Sequence, residues 1–181
     1  MKVVITGGGG FIGHRLAHTL LKRGTIANAE GQQTKITEIV GKPNLAASSF
    51  ASGIIREPLA GVVSPCPVSE QTSVWLLSPG KVVDAFIHAH DLPASAWGTD
   101  RVLNLPGITS SVKDMVAALR KIAGDKVANL VEMKPDARIQ GIVDSWPVRF
   151  VTARALKMGF SPDKDVESII RDYVTEQGIK V

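Results

Sequence analysis

Thr6-Gly7-x-x-Gly10-x-x-Gly13 sets a hydroxyl and three glycines between a β-branched run, Val3-Val4-Ile5, and an apolar helical pattern. Strand, tight glycine turn and helix, in that order, form a phosphate-binding unit. Gly7 allows the turn, Gly10 lets the backbone approach a pyrophosphate, and Gly13 lets the helix pack close to the strand. Backbone N–H groups near Phe11 and Ile12 stand at the positive end of that helix and suit an anion. Thr6, Gly7, Gly10, Phe11, Ile12 and Gly13 are therefore the candidate cofactor-binding residues. A glycine-rich turn without a ligand is the alternative. A dinucleotide site also expects an acidic residue at the end of the second strand, roughly 20 residues on. Glu30 falls in the connection and Glu38 inside the strand, so these residues do not separate NAD from NADP.

Other reactive side chains are sparse. His14 and His18 share a helix face at i, i+4, but no third ligand accompanies them, and no metal site is expected. His88 and His90 are two apart and do not face one another. Cys66, between Pro65 and Pro67, reads as a structural residue in an irregular loop. The one tyrosine, Tyr173, lies on an apolar helical stripe and reads as core. Asp84 and Asp91 read as solvated or capping groups, and Trp75, Trp97 and Trp146 as packing anchors.

The elements that must position these residues follow from periodicity and punctuation. Residues 3–5 predict a parallel strand buried on both faces. Residues 10–23 predict a helix with Ile12, Leu16 and Leu20 on one stripe, closed by Lys22, Arg23 and a Gly24 cap. A polar connection over 25–33 leads to a strand over 36–40. Residues 46–56 predict a loop entering a short helix, and 58–67 a loop with a short strand at Val62-Val63. Residues 74–77 predict a strand, and Ser78-Pro79 starts a helix that ends before Pro93. Residues 101–105 predict a strand closed by Pro106-Gly107. Ser111 and Asp114 approximate a capping box for a helix ended by Gly124. A strand over 130–133 and a last helix from Asp165, with Val166, Ile169, Ile170, Tyr173 and Val174 on its stripe, complete the chain.

The 181 residues suffice for one ordinary domain with a core. Hydrophobic residues make up 44% and charged residues 21%, the balance of a soluble globular protein. No stretch approaches the roughly 20 apolar residues of a membrane span, and the apolar start runs straight into the glycine turn rather than forming a signal peptide. One cysteine excludes an internal disulfide, and a reducing, cytoplasmic setting is expected. The net charge of +4 is scattered and aromatics are only 5%, so the interleaved basic and aromatic surface of a nucleic-acid binder is missing.

The glycine spacing resembles the short-chain dehydrogenase/reductase superfamily in its extended, epimerase-like (NAD-dependent epimerase/dehydratase) branch. Residues 24–40, 41–59, 75–79, 101–107 and 152–160 are similar to the sugar-acid dehydrogenases of that branch. The resemblance covers nearly all of this chain but not all of the family. It looks like a longer relative with the middle removed after Val40. The implied fold class is α/β: an incomplete Rossmann-like, doubly wound unit over 1–40, and the α/β substrate-binding part of an extended short-chain dehydrogenase over 41–181. The family's acidic residue would follow Val40, where Gly41 stands; NAD is the cofactor that the resemblance implies. Asn44, Ser48 and Ser49 lie where extended members shape the substrate pocket. Arg149 lies where they often place a base facing an anionic substrate, and its guanidinium suits a sugar-acid carboxylate. Turn, capping and surface roles are their respective alternatives.

The implied reaction is oxidation of a secondary hydroxyl of a short sugar acid, the carbon that bears the hydroxyl giving its hydride to the cofactor. In the family a tyrosinate takes the hydroxyl proton, a lysine four residues later lowers that tyrosine's pKa, and a serine orients the substrate. Tyr173 is followed four residues later by Gln177, so no catalytic residue is assigned and this chain alone is expected to be inactive. A small-molecule substrate and a homodimer are the expected partners, with neither nucleic acid nor membrane. A non-catalytic nucleotide-binding or interaction module, or a truncated fragment, is the competing reading.

Overall fold

The computed structural model describes residues 1–5, 11–28, 30–40 and 49–181, with the backbone alone for Phe11, residues 38–40 and Ser49. In chain order the first elements are β1 (Lys2–Val4), α1 (Phe11–Arg23), β2 (Thr25–Ala27), β3 (Gln33–Lys35), β4 (Glu38–Val40) and α2 (Ser49–Leu59). Next come β5 (Ser64–Cys66), β6 (Ser73–Leu76), α3 (Pro79–Asp91), α4 (Ala94–Trp97) and β7 (Ile108–Ser111). The remainder are α5 (Val112–Ala128), β8 (Val131–Met133), α6 (Ala137–Asp144), α7 (Ala153–Lys157) and α8 (Val166–Gln177). The fold is α/β. It divides into two compact units, one of Met1–Ala46, Ser78–Leu105 and Thr152–Ser161, the other of Ala47–Leu77, Pro106–Val151 and Pro162–Val181. The division expected after Val40 adjoins residues 41–48, which lie outside the described residues.

In the first unit β1 pairs in parallel with β4, Lys2 opposite Glu38 and Val4 opposite Val40. Strand alternation sends Val3 and Ile5 to one side, where they pack with Leu16, Ala17 and Leu20 of α1, Ile26, Ile36 and Ile87 of α3. Val4 faces the other way and is 70% exposed. The expectation of burial on both faces is thus corrected: only one face of β1 is covered among the described residues. α1 matches its stripe, and the Gly24 N–H bonds the Leu20 carbonyl at 2.9 Å with φ +73°. The left-handed conformation is the reason glycine stands there.

The polar connection proves to be an antiparallel hairpin, β2 to β3, with Thr25 opposite Lys35. Asn28 makes its turn, its Oδ1 accepting from the N–H groups of Glu30 at 3.1 Å and Gln32 at 2.8 Å. A side chain that mimics a backbone turn explains why a segment without β-branched runs still pairs. The strand expected over 101–105 is also absent. Arg154 of α7 holds this stretch instead, donating to the Asp100 carboxylate (2.8 Å) and to the carbonyls of Trp97 (2.8 Å), Asp100 (2.6 Å) and Val102 (3.1 Å). Those backbone groups therefore have a cationic fork as partner rather than a ladder, and Val102 is 78% exposed.

The second unit surrounds α5, which packs against α2 and α8. Phe50, Ile54 and Ile55 of α2, Val112, Met115 and Leu119 of α5, and Ile170 of α8 form its core with Val143 of α6. Ser111 caps α5, accepting from the Asp114 N–H at 3.1 Å and donating to its carboxylate at 2.7 Å. Gly124 breaks the helical conformation (φ 82°, ψ 173°), but a further turn reaches Ala128. Asp165 and Ser168 form a reciprocal capping box at α8.

Two boundaries shift in this unit. Pro58 lies in the last turn of α2, where it has no N–H to offer the carbonyl four residues back, and the helix ends one residue later at Leu59. Val62 is still tied to that helix end by its N–H to the Glu57 carbonyl, so the strand begins only at Ser64, whose N–H bonds Leu130 at 2.8 Å. β5 then runs parallel to β8, with Cys66 opposite Met133. Cys66 is therefore a buried strand residue and not part of an irregular loop. β6 and β7 form an antiparallel ribbon in which Trp75 stands opposite Thr109.

Leu119 has no exposed surface. Leu119→Ala removes methyl groups from a site gripped by helices, and a loss of about 3 kcal/mol in urea unfolding is expected. In the first unit the Asp91 carboxylate accepts from Arg23 at 2.9 Å and lies 3.2 Å from His90 Nδ1. Burial pushes the Asp91 carboxyl up, but the hydrogen bonds and charges of His90 and Arg23 outweigh it and leave its pKa below the ordinary value. A carboxyl lowered on folding stabilises above its unfolded pKa, and the gain fades as pH falls through the folded one. Asp91→Asn should cost about 0.5 kcal/mol at neutral pH, the scale of a half-exposed pair. The difference from the parent should close on acidification, as followed by thermal melts across pH.

Candidate functional site

α1 begins at Phe11, so Phe11, Ile12 and Gly13 form the first turn of a thirteen-residue helix. The first N–H groups of such a helix lack intrahelical partners and carry its positive end. No acidic residue occupies that first turn, while Lys22 and Arg23 close the other end. Both features complement the helix dipole or leave it unopposed. β1 ends at Val4 and α1 begins at Phe11, six residues lying between them, and Ile5, the first of the six, is buried. Thr6, Gly7 and Gly10 lie outside the described residues, as do Asn44 and Ser48.

Ser49 is the first residue of α2. Arg149 lies in the second unit, exposed, between α6 and α7. Among the described residues no hydrogen bond or ion pair engages its guanidinium, whereas Arg23, Arg120 and Arg154 each meet an aspartate. Its neighbours in the chain are both anchored. The Thr109 hydroxyl donates to the Val148 carbonyl at 2.6 Å. The Phe150 ring meets Trp75 edge-on, with centroids 5.6 Å apart and an interplanar angle of 63°. Trp75 and Thr109 are the cross-strand pair of the β6–β7 ribbon, so both anchors stand on one patch of sheet.

The remaining candidates are structural. Tyr173 packs against the core of the second unit from α8. Burial pushes the Cys66 thiol up, with the Val68 carbonyl, 3.6 Å from Sγ, opposing it and the Glu70 charge adding to it. A raised thiol pKa disfavours the thiolate nucleophile. His88 Nε2 lies 2.7 Å from the Met158 carbonyl, and its ring meets Phe160 edge-on at 4.7 Å. Trp97 meets the same phenyl ring at 6.4 Å, and Trp146 packs against the second core, so all three tryptophans anchor packing. His14 and His18 are exposed on α1, and no group of three potential metal ligands occurs among the described residues. Nor is any helix there long and apolar enough to cross a membrane.

No family model matches the chain. It is 42% identical over 168 residues to a D-erythronate dehydrogenase of Cupriavidus necator, covering 93% of this chain and 52% of that protein. A D-erythronate dehydrogenase of Haemophilus influenzae is 42% identical over 134 residues, 74% of this chain and 42% of that one. Among solved structures, a nucleoside-diphosphate-sugar epimerase of Agrobacterium tumefaciens aligns with a TM-score of 0.71 at 32% identity, over 80% of this chain and 46% of that one. The chain is thus similar to part of proteins named D-erythronate dehydrogenase and to part of a nucleoside-diphosphate-sugar epimerase structure. It spans about half the length of the curated relatives it matches. A GalE-like L-threonine dehydrogenase of Cupriavidus necator, at 16% identity and a TM-score of 0.63, shows the shared fold over 78% of this chain and 48% of that one.

The likeness to dehydrogenases was legible in the sequence, but the anchors around Arg149 were not. Thr109 carries no motif, and its partner is 39 residues away. The one local signal was Pro106-Gly107. A Cβ on Gly107 would lie 2.5 Å from the Leu76 carbonyl oxygen and 2.7 Å from Trp75 Nε1. The backbone must therefore pass against the indole, and only glycine fits without displacement. Gly107→Ala should cost about 2 kcal/mol in urea unfolding and perturb the near-ultraviolet signal of the indole.

Proposed function

We propose that this chain carries part of an NAD-dependent sugar-acid dehydrogenase, with D-erythronate as the substrate type. The observation that carries this reading is the 42% identity to a D-erythronate dehydrogenase along 93% of the chain. Thr6, Gly7, Gly10 and the first turn of α1, from Phe11 to Gly13, would hold the pyrophosphate. A helix start free of acidic side chains fits that group. Bound there, NAD would supply the hydride acceptor. Asn44, Ser48 and Ser49 would shape the substrate site, and Arg149 would hold the carboxylate through a bidentate pair.

Residues 1–40 would then be the start of the dinucleotide-binding fold and 41–181 the substrate-binding part, with most of the central sheet of a longer relative lacking between them. Tyr173, packed against the core, would not take a hydroxyl proton, so the chain alone would bind without turning over. The second reading is a nucleotide-binding or interaction module without chemistry, or a fragment. What favours it is that the one tyrosine has Gln177, not lysine, four residues on.

Thermal melts with NAD test the cofactor assignment. Saturating NAD at a hundred times its dissociation constant should stabilise the chain by about 2.7 kcal/mol, and Gly10→Val should abolish the effect. No oxidation of D-erythronate is expected, followed as NADH absorbance. Turnover by the purified chain would overturn the claim of inactivity, and an unchanged melt would overturn the cofactor site.

A further inference from the structure

We propose that Thr109 is a positioning residue for Arg149, fixing the main chain on one side of it while the Trp75–Phe150 contact fixes the other. The inference rests on the reading of Arg149 as the carboxylate contact. Arg149 sits in a stretch without helix or strand, where the main chain has no ladder to hold it. Such a segment would ordinarily leave a long cationic side chain to sample many positions, and each must be given up on binding.

Here residue 148 is tied by its carbonyl to the Thr109 hydroxyl at 2.6 Å, and residue 150 by its ring to Trp75. Both tethers rise from one cross-strand pair of the β6–β7 ribbon, which α5 follows directly. Threonine suits the task because its β-branched side chain is stiff at χ1 and aims its hydroxyl in few directions. The guanidinium between the tethers is uncommitted among the described residues. It can therefore meet an anion without first breaking an internal ion pair.

The test uses the full chain and D-erythronate as the probe in isothermal titration, with thermal melts of every variant. Thr109→Val removes the donor while keeping the shape. It should weaken binding about five-fold, the scale of one hydrogen bond. Thr109→Ser restores the hydroxyl and should return affinity to near the parent's, a rescue that a merely structural role would not show at equal melting temperature. Phe150→Leu, which loosens the other tether, should also weaken binding and supplies the test if the valine variant fails to fold. Arg149→Ala should abolish binding. A parent chain that does not bind, or an Arg149→Ala chain that binds as the parent does, overturns the carboxylate reading and the inference with it. Loss on Arg149→Ala with unchanged affinity in folded Thr109→Val and Phe150→Leu overturns the positioning role alone.

Discussion

The burial of α5 between α2 and α8 is the constraint on which the second unit depends. Leu119 and Val112 have no exposed surface, and Met115 has almost none. One apolar stripe, repeated at helical spacing, is covered by partners from distant parts of the chain. Because Ser111 ends β7 and caps α5 at once, fixing the helix also fixes the ribbon. Trp75 and Thr109 inherit their positions from that ribbon, and the main chain around Arg149 inherits its position from them. A hydrophobic contact at the centre thus sets where an exposed cation stands.

The parts of the fold that were legible in sequence are those whose signals are local. The caps Ser78, Ser111 and Asp165 stand where their neighbours demand them, and Gly24 and Gly124 both take the left-handed φ that stops or breaks a helix. Two of the errors share one origin, a backbone partner that sequence spacing cannot reveal. The 101–105 stretch has the apolar residues of a strand, yet its Val102 carbonyl, and that of Asp100 just before it, accept from Arg154, more than 50 residues away. The β2–β3 hairpin lacks strand-forming runs, yet one asparagine side chain closes its turn. Val4 reads as buried because its residue type is apolar, but burial needs a second layer.

The candidate site was legible unevenly for the same reason. A glycine motif announces itself because the conformations it needs are written in consecutive residues. Arg149 is marked in sequence only by resemblance, and what gives it a defined setting is a hydroxyl and a ring from two other strands. The motif and the cation also belong to different compact units, each with its own core. Each half of the proposed recognition therefore draws its local geometry from a separate set of packed residues.

The clamp made by Arg154 has a consequence for how this chain tolerates change. It reads three backbone carbonyls and only one side chain, that of Asp100. Every amino acid carries a carbonyl, so substitutions at Trp97 or Val102 leave those acceptors chemically intact. The specificity of the whole segment is concentrated at one distant arginine, whose planar fork a lysine cannot reproduce. Sequence can drift along the loop, while position 154 is left almost no freedom.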